Sequence, residues 1–247
     1  MNFFSLFKRQ LLYKIKKKIN IDYDKVEKSN LDDLFHYYGS DKANIFKHTK
    51  AEGHGFSKFY THHFDHLKGK KINILEIGSF AGASAAAFVK YFPKSKVFCF
   101  DINISKFIYK SENIKVHGLD INNENKLKKI LEKINVDEKS PFFDVIIDDG
   151  SHYLSDILFS LKTFFQLLKK KGIYVIEDFK HPNYYKYNKN VDDILIDKMI
   201  NYLIQKKLFK SNIIKNTDQT YLWNNINKII TYKGNLKDSD ICFIEKN

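Results

Sequence analysis

The chain has 247 residues and a formal net charge of +13, with 43% hydrophobic and 15% aromatic residues but only 10 glycines and 3 prolines. This much apolar material can build one sizeable core, which excludes a collagenous, mucin-like or Gly/Ser-linker chain. Cys99 and Cys242 sit inside apolar runs and rule out a disulfide framework; the charge favours anionic partners, but the lysines are dispersed and point to no specific nucleic acid.

The opening stretch, MNFFSLFKRQLLYKIKKKIN, places its apolar residues before its charges and is too short for a signal peptide or a membrane span. Phe3, Phe4, Phe7, Leu11, Ile15 and Ile19 recur near helical spacing between lysines, so a basic amphipathic helix is expected. Its apolar face could meet the protein body, a second subunit or a membrane surface. A cytoplasmic protein is expected, with peripheral contact at the inner membrane and homo-oligomerisation left open. Residues 1–70 read as an N-terminal helical segment contributing to the site, and residues 71–247 as the main domain.

From residue 72, short apolar runs alternate with helix-length amphipathic segments, the pattern of a parallel sheet covered on both faces. Strands are predicted at 72–77, 96–101, 113–118, 143–148 and 173–178. The first leads into LEIGSFAGAS (75–84), where Gly78 and Gly82 let the backbone bend and approach a ligand. This is neither a P-loop nor G-x-G-x-x-G, which weakens a nicotinamide site. Asp101, ending the second strand, is placed to accept hydrogen bonds from ribose hydroxyls, and Asp120 follows the third. The plainer readings are a strand end for Asp101 and a helix cap for Asp120.

FFDVIIDDGSH (142–152) sets a buried run against two carboxylates and an imidazole. Strands 143–148 and 173–178 end in acid pairs, Asp148-Asp149 and Glu177-Asp178, and parallel neighbours deliver such ends to one crevice. Converging carboxylates repel one another and invite a cation. Oxygen donors suit Mg²⁺, with Mn²⁺ or Ca²⁺ as substitutes. Such an ion would bind and acidify a substrate hydroxyl, and His152 could take the proton. Taken singly, these residues could instead cap a helix or face solvent. His62 and His66 stand at i, i+4 spacing but have no further ligand type nearby, so no second metal is expected.

The apolar spacing of Leu154, Ile157, Leu158, Leu161, Phe164, Phe165 and Leu168 predicts a helix over 153–169, with Lys169 to Lys171 at its negative end and Gly172 as a left-handed stop. Residues 181–220 interrupt the alternation with a polar aromatic loop and a helix over 194–208. They read either as a lid or substrate platform over the crevice or as a peripheral helix. INKIITYK and DICFIEK, flanking GNLKDS, predict an antiparallel edge.

Glu76, the carboxylate just before the first glycine, resembles the first motif of class I S-adenosylmethionine (SAM)-dependent methyltransferases, a resemblance covering about 72–180. The succession YGSDKA (38–43), HGFSKFYTHHF (54–64), the glycine loop, IIDDGSH and IEDF is similar to the metal-dependent sugar O-methyltransferases of the mycinamicin and macrocin type, with relatives in surface-polysaccharide clusters. GSDK departs from that family's Gly-Thr-Asp-Lys, and HGF replaces its His-x-Tyr. The resemblance implies a Rossmann-like α/β fold with a seven-stranded, mainly parallel sheet and an antiparallel C-terminal edge. It implies that Glu76, Gly78, Ser79, Phe80, Gly82 and Ser84 lie along the methionine part of SAM, Asp101 at the ribose and Asp120 near the adenine. Lys42 and Asp148 are assigned to the same cofactor site. Asp149, Glu177 and Asp178 match the family's Mg²⁺ ligands, and His152 matches its general base, with Asp149 beside it in catalysis.

The expected activity is therefore SAM-dependent O-methylation of a small sugar-like acceptor, phosphorylated or nucleotide-activated, destined for a surface glycan. Methylation of a phosphate-type oxygen or an amine in a capsule precursor is the runner-up. An NAD-dependent oxidoreductase and a noncatalytic basic module are the rivals from other classes.

Overall fold

The computed structural model describes residues 3–26, 30–137 and 140–247. Seven strands form one sheet: β1 (Asn73–Ile77), β2 (Lys96–Asp101), β3 (Ile114–Gly118), β4 (Phe143–Asp148), β5 (Leu168–Glu177), β6 (Ile226–Lys233) and β7 (Asp240–Lys246). Their order is β3-β2-β1-β4-β5-β7-β6, parallel except for β7, which runs antiparallel to both of its neighbours. The chain begins its sheet at the centre, builds outward to one edge and then to the other. The strand order therefore reverses beside β1, where open α/β sheets bind ligands.

The central strands are apolar on both faces because helices cover both. On one side α2 (Leu31–Tyr38), α3 (Ser57–Phe64) and α4 (Ala83–Tyr91) bury Phe35, Tyr60, Phe64 and Phe88 against the sheet. On the other, α5 (Glu124–Lys133), α6 (Leu154–Phe164), α7 (Ile196–Ile204) and α8 (Asn216–Asn225) bury Leu131, Leu158, Leu161 and Met199. Local chemistry sets several ends. Asn30 caps α2 by accepting from the Asp33 amide at 2.8 Å, and left-handed Gly39 closes it.

The structure departs from four of the sequence expectations. The helix predicted to residue 169 ends at Phe164, a 3₁₀ turn spans Phe165–Leu167, and β5 already starts at Leu168. The left-handed residue there is Lys171, at φ 59°, and not Gly172. Gly172 is needed for space: a Cβ would come within 2.8 Å of Leu168 and of the Lys169 carbonyl, where β5 bulges against β4. Ile19 leaves the N-terminal helix: α1 (Phe3–Ile15) stops earlier, and Ile19–Asn20 pair in parallel with Tyr109–Lys110. The side chains of Phe3 and Phe4 lie outside those described. The helix expected over 194–208 is the shorter α7, and the following α8 carries no amphipathic signature that would have revealed it.

Candidate active site

The tips of β1, β2, β4 and β5 enclose the cleft. Gly78 follows β1 at φ 84°, and a Cβ there would overlap the Asp149 carbonyl, so only glycine lets these two strand ends close on each other. The Asp149 amide donates to Ile77 O at 2.9 Å and fixes the contact. Gly82, at φ 80°, opens α4 where a Cβ would run into the Phe107 ring.

A cavity of about 320 Å³ lies on one side of this loop, lined among others by Phe80, Asp101, Ile102, Asp120 and Asp148. A second, of about 270 Å³, lies on the other side and is lined by Lys42, Ser79, Phe80, Ser84 and Asp149 among others. Gly78, Phe80 and Asp149 border both. Phe80 is left-handed at φ 43°, with its ring 68% exposed between the two spaces.

Asp101 accepts from the Phe80 amide at 2.7 Å and from the Asn103 amide at 2.5 Å, so its carboxylate shapes the loop that it faces. Asp120 does not cap α5; Asn123 does, accepting from Lys126 at 3.0 Å. This leaves the Asp120 side chain on the cavity wall, where it accepts from the Asn122 amide. Glu76 is fully buried, bonded through Oε1 to the Ser84 hydroxyl, and its Oε2 has no partner. Burial raises its pKa against the pull of Lys42. Asp148 Oδ2 is likewise a buried acceptor without a partner, and burial pushes this carboxyl up to about 7.

At the β4 and β5 tips the acids do converge, though with a cation already among them. Lys42 is 2% exposed, and its Nζ lies 2.5 Å from Asp149 Oδ2 and 2.6 Å from Glu177 Oε2. Burial would discharge this amine, but the two carboxylates outweigh burial and hold it charged. Burial also raises Asp149, opposed by Lys42, and raises Glu177, where Asp149 adds to the effect. The hydroxyl of Tyr60 donates to the other Glu177 oxygen. Lys42, expected at the cofactor, thus borders the smaller cavity while bridging two acids of the cluster.

Asp178, at φ 49°, turns its Oδ2 to 3.9 Å from His152 Nε2, and the same nitrogen is 3.7 Å from Asp149 Oδ1. His152 is itself left-handed at φ 56°. Two non-glycine residues held in this strained region on facing strand ends mark a site whose geometry the surrounding fold enforces. His54 Nδ1 lies 2.8 Å from Ser239 Oγ and 3.4 Å from Asp178 Oδ1, the latter a charge contact without hydrogen-bond geometry. Burial opposes protonation of His54, but Asp178 outweighs it and raises the imidazole to about 9.

Asp149, His152 and Asp178 each present a ligand atom within 4.8 Å of the others, and Asp178 Oδ1 is a buried oxygen with no hydrogen bond. Three carboxylates exceed the charge of Lys42, so the donor set fits a hard cation. Glu177 lies beside this trio, with both oxygens engaged by Tyr60 and Lys42. His62 and His66 are in no candidate metal group among the described residues, and His63 between them stacks on Phe243 at 4.1 Å.

Tyr60 and His54 belong to HGFSKFYTHHF, where nothing in the neighbouring residues signals their contacts with Glu177 and Asp178. The loop at 181–190 lies against His152 and Tyr153. His181 sits 5.6 Å from the His152 ring, and Tyr185 and Tyr187 pack edge-on against Tyr153 at 5.4 and 5.3 Å.

Strand order, glycine loop, the acid ending β2 and the cofactor-sized cavity define a Rossmann-like class I methyltransferase fold. A solved structure of MycE methyltransferase from the mycinamycin biosynthetic pathway, in complex with Mg, SAH and mycinamycin VI, superposes with a TM-score of 0.65 at 22% identity, over 90% of this chain and 55% of that one. No protein-family model matches the chain. Over 51% of its length the chain is 29% identical to the 8-demethyl-8-(2-methoxy-alpha-L-rhamnosyl)-tetracenomycin-C 3'-O-methyltransferase of Streptomyces olivaceus, covering 32% of that protein. It is 27% identical, again over 51%, to the mycinamicin VI 2''-O-methyltransferase of Micromonospora griseorubida, covering 31%. The L-olivosyl-oleandolide 3-O-methyltransferase of Streptomyces antibioticus is 33% identical over the same share, with 32% of it covered. The chain therefore spans about a third of the length of these curated relatives, each of them an O-methyltransferase by name.

Proposed function

We propose that this protein is a SAM-dependent O-methyltransferase acting on a hydroxyl of a small sugar-like acceptor. One observation carries the reading: Gly78 and Asp149 border both cavities, so a methyl donor held by the glycine loop meets an acceptor held by the acid cluster at a shared wall. The adenosine part fits the larger cavity, with Asp101 toward the ribose and Asp120 toward the base. The unpartnered oxygen of buried Glu76 suits an ammonium donor on the methionine part, beside Ser79 and Ser84.

Asp149, Glu177 and Asp178 would hold Mg²⁺ or Mn²⁺, with Glu177 sharing its charge between the ion and Lys42. When bound, the ion would lower the pKa of the acceptor hydroxyl and orient it. His152, whose Nε2 faces Asp149 and Asp178, accepts the hydroxyl proton. The acceptor oxygen attacks the methyl carbon, the carbon–sulfur bond breaks, and S-adenosylhomocysteine leaves with the electron pair. The loop at 181–190, packed around His152 and Tyr153, serves as lid and acceptor wall. The net charge of +13 favours a phosphorylated or nucleotide-activated acceptor, such as a surface-glycan precursor.

Calorimetry with S-adenosylhomocysteine and with NAD⁺ tests the donor. Binding of the former alone is expected; binding of NAD⁺ alone would move the protein to the oxidoreductases. Mass spectrometry of soluble precursors and extracted glycans, with and without the gene, would then identify the acceptor by its missing methyl group.

A further inference from the structure

The cleft accounts for the chemistry but not for α1, which is mounted with its apolar side outward. A surface helix ordinarily turns its apolar stripe to the core. Inward contacts include those of Arg9, whose guanidinium donates to Ile102 O at 3.0 Å, of Tyr13, edge-on to Phe107, and of Lys16, just past the helix, whose amine reaches Ser105 O at 3.2 Å. Phe7, Leu11 and Ile15, at i, i+4 and i+8, face solvent with 59%, 50% and 71% of their surface exposed. Ile19, just beyond the helix, is 53% exposed.

The charges beside this stripe all have one sign. Lys8, Arg9, Lys14, Lys16, Lys17 and Lys18 fall within the segment, and Asp22 is the first acidic residue of the chain. A second copy of α1 packed on this face would bring these cations against their duplicates. A nucleic acid would leave the three large apolar side chains without a partner. A bilayer with anionic headgroups satisfies both, taking the apolar side chains at the acyl boundary and the ammonium groups in the headgroup layer.

We propose that α1 is an interfacial anchor that docks the protein on an anionic lipid surface through Phe7, Leu11 and Ile15 with the flanking lysines. The helix is held on the turn Ile104–Lys106, which directly follows the Ile102 and Asn103 wall of the larger cavity. Docking therefore places the cleft at the membrane surface. This stands independently of the chemistry assigned to the cleft.

The test is co-sedimentation of the full chain with phosphatidylcholine vesicles, with and without a third of phosphatidylglycerol, at low and high salt. Binding to the anionic vesicles, weakened by salt, is expected. Each lysine removed in a Lys8→Gln/Lys14→Gln variant should lower it roughly fivefold. A Phe7→Ser/Leu11→Ser/Ile15→Ser variant should lower it by on the order of a hundredfold, with unchanged melting temperature because these side chains touch solvent in the folded state. No binding to anionic vesicles would overturn the proposal, as would binding that the triple variant leaves intact. Sedimentation equilibrium showing a dimer that the triple variant dissociates, without vesicle affinity, would assign the face to a second copy instead.

Discussion

Lys42 is the residue on which the acid cluster depends. Its ammonium is the compensating charge shared by Asp149 and Glu177, so Lys42→Met leaves a buried carboxylate and a partly buried one facing each other. A loss of about 3–5 kcal/mol is expected in urea denaturation, with Mn²⁺ restoring more stability to the variant than to the parent. Asp148 makes the opposite case. Its carboxyl, up at about 7, is protonated in the fold at pH values where the unfolded chain has already ionised. The folded state then binds more protons, and stability falls as pH rises from about 4 to 7. Asp148→Asn should therefore be more stable than the parent at pH 8, by a few kcal/mol, and close to it at pH 4. Equal stabilities at pH 8 would show that the carboxyl is not perturbed. His152→Ala is expected to slow turnover by on the order of 10²- to 10⁴-fold without changing the affinity for S-adenosylhomocysteine.

At the scale of elements, the site depends on strand ends that approach closer than side chains allow. Gly78→Ala forces a Cβ into the Asp149 carbonyl at a left-handed φ, so β1 and β4 must part at their tips. A melting-temperature loss equivalent to about 1–3 kcal/mol is expected, together with weakened binding of S-adenosylhomocysteine by calorimetry. Gly172→Ala strikes the same sheet at the bulged end of β5, far from the cleft. It should lower stability while leaving that affinity unchanged. The two variants together separate sheet integrity from loop closure.

Over the whole molecule, two imidazoles that the fold keeps neutral work against stability in acid. Burial pushes His63, stacked on Phe243, down to about 4, and does the same to His117, whose Nε2 has no partner. The unfolded chain binds these protons from about pH 6.5, so stability contributed by the two groups is complete above 6.5 and lost as pH falls toward 4. Glu76, Asp148, Asp149 and Glu177, all raised by burial, change in the other direction over this range, so the histidines are isolated by comparing variant with parent. As pH falls from 6.5 to 4, a His63→Gln/His117→Phe variant is expected to gain stability relative to the parent in urea denaturation; a difference that stays constant across that range would remove the two imidazoles from this role.

Five parallel strands with the antiparallel edge pair, the acid pairs ending two of them and the glycine loop after the first were legible in the amino-acid order, because a strand buried on both faces must be a continuous apolar run and its polar tip follows at once. The end of α6 was not. Leu168 suits a helical stripe as well as a strand, and only its pairing with Phe143 in β4 decides the matter. Nor could neighbours along the chain say what neutralises Asp149 and Glu177, since Lys42 stands 107 and 135 residues away. Periodicity reports which face of an element is apolar, whereas charge compensation depends on distance through space. The sheet and its acidic rim were thus determined locally; the cation within that rim, the outward face of α1 and the histidines kept neutral were decided by tertiary packing alone.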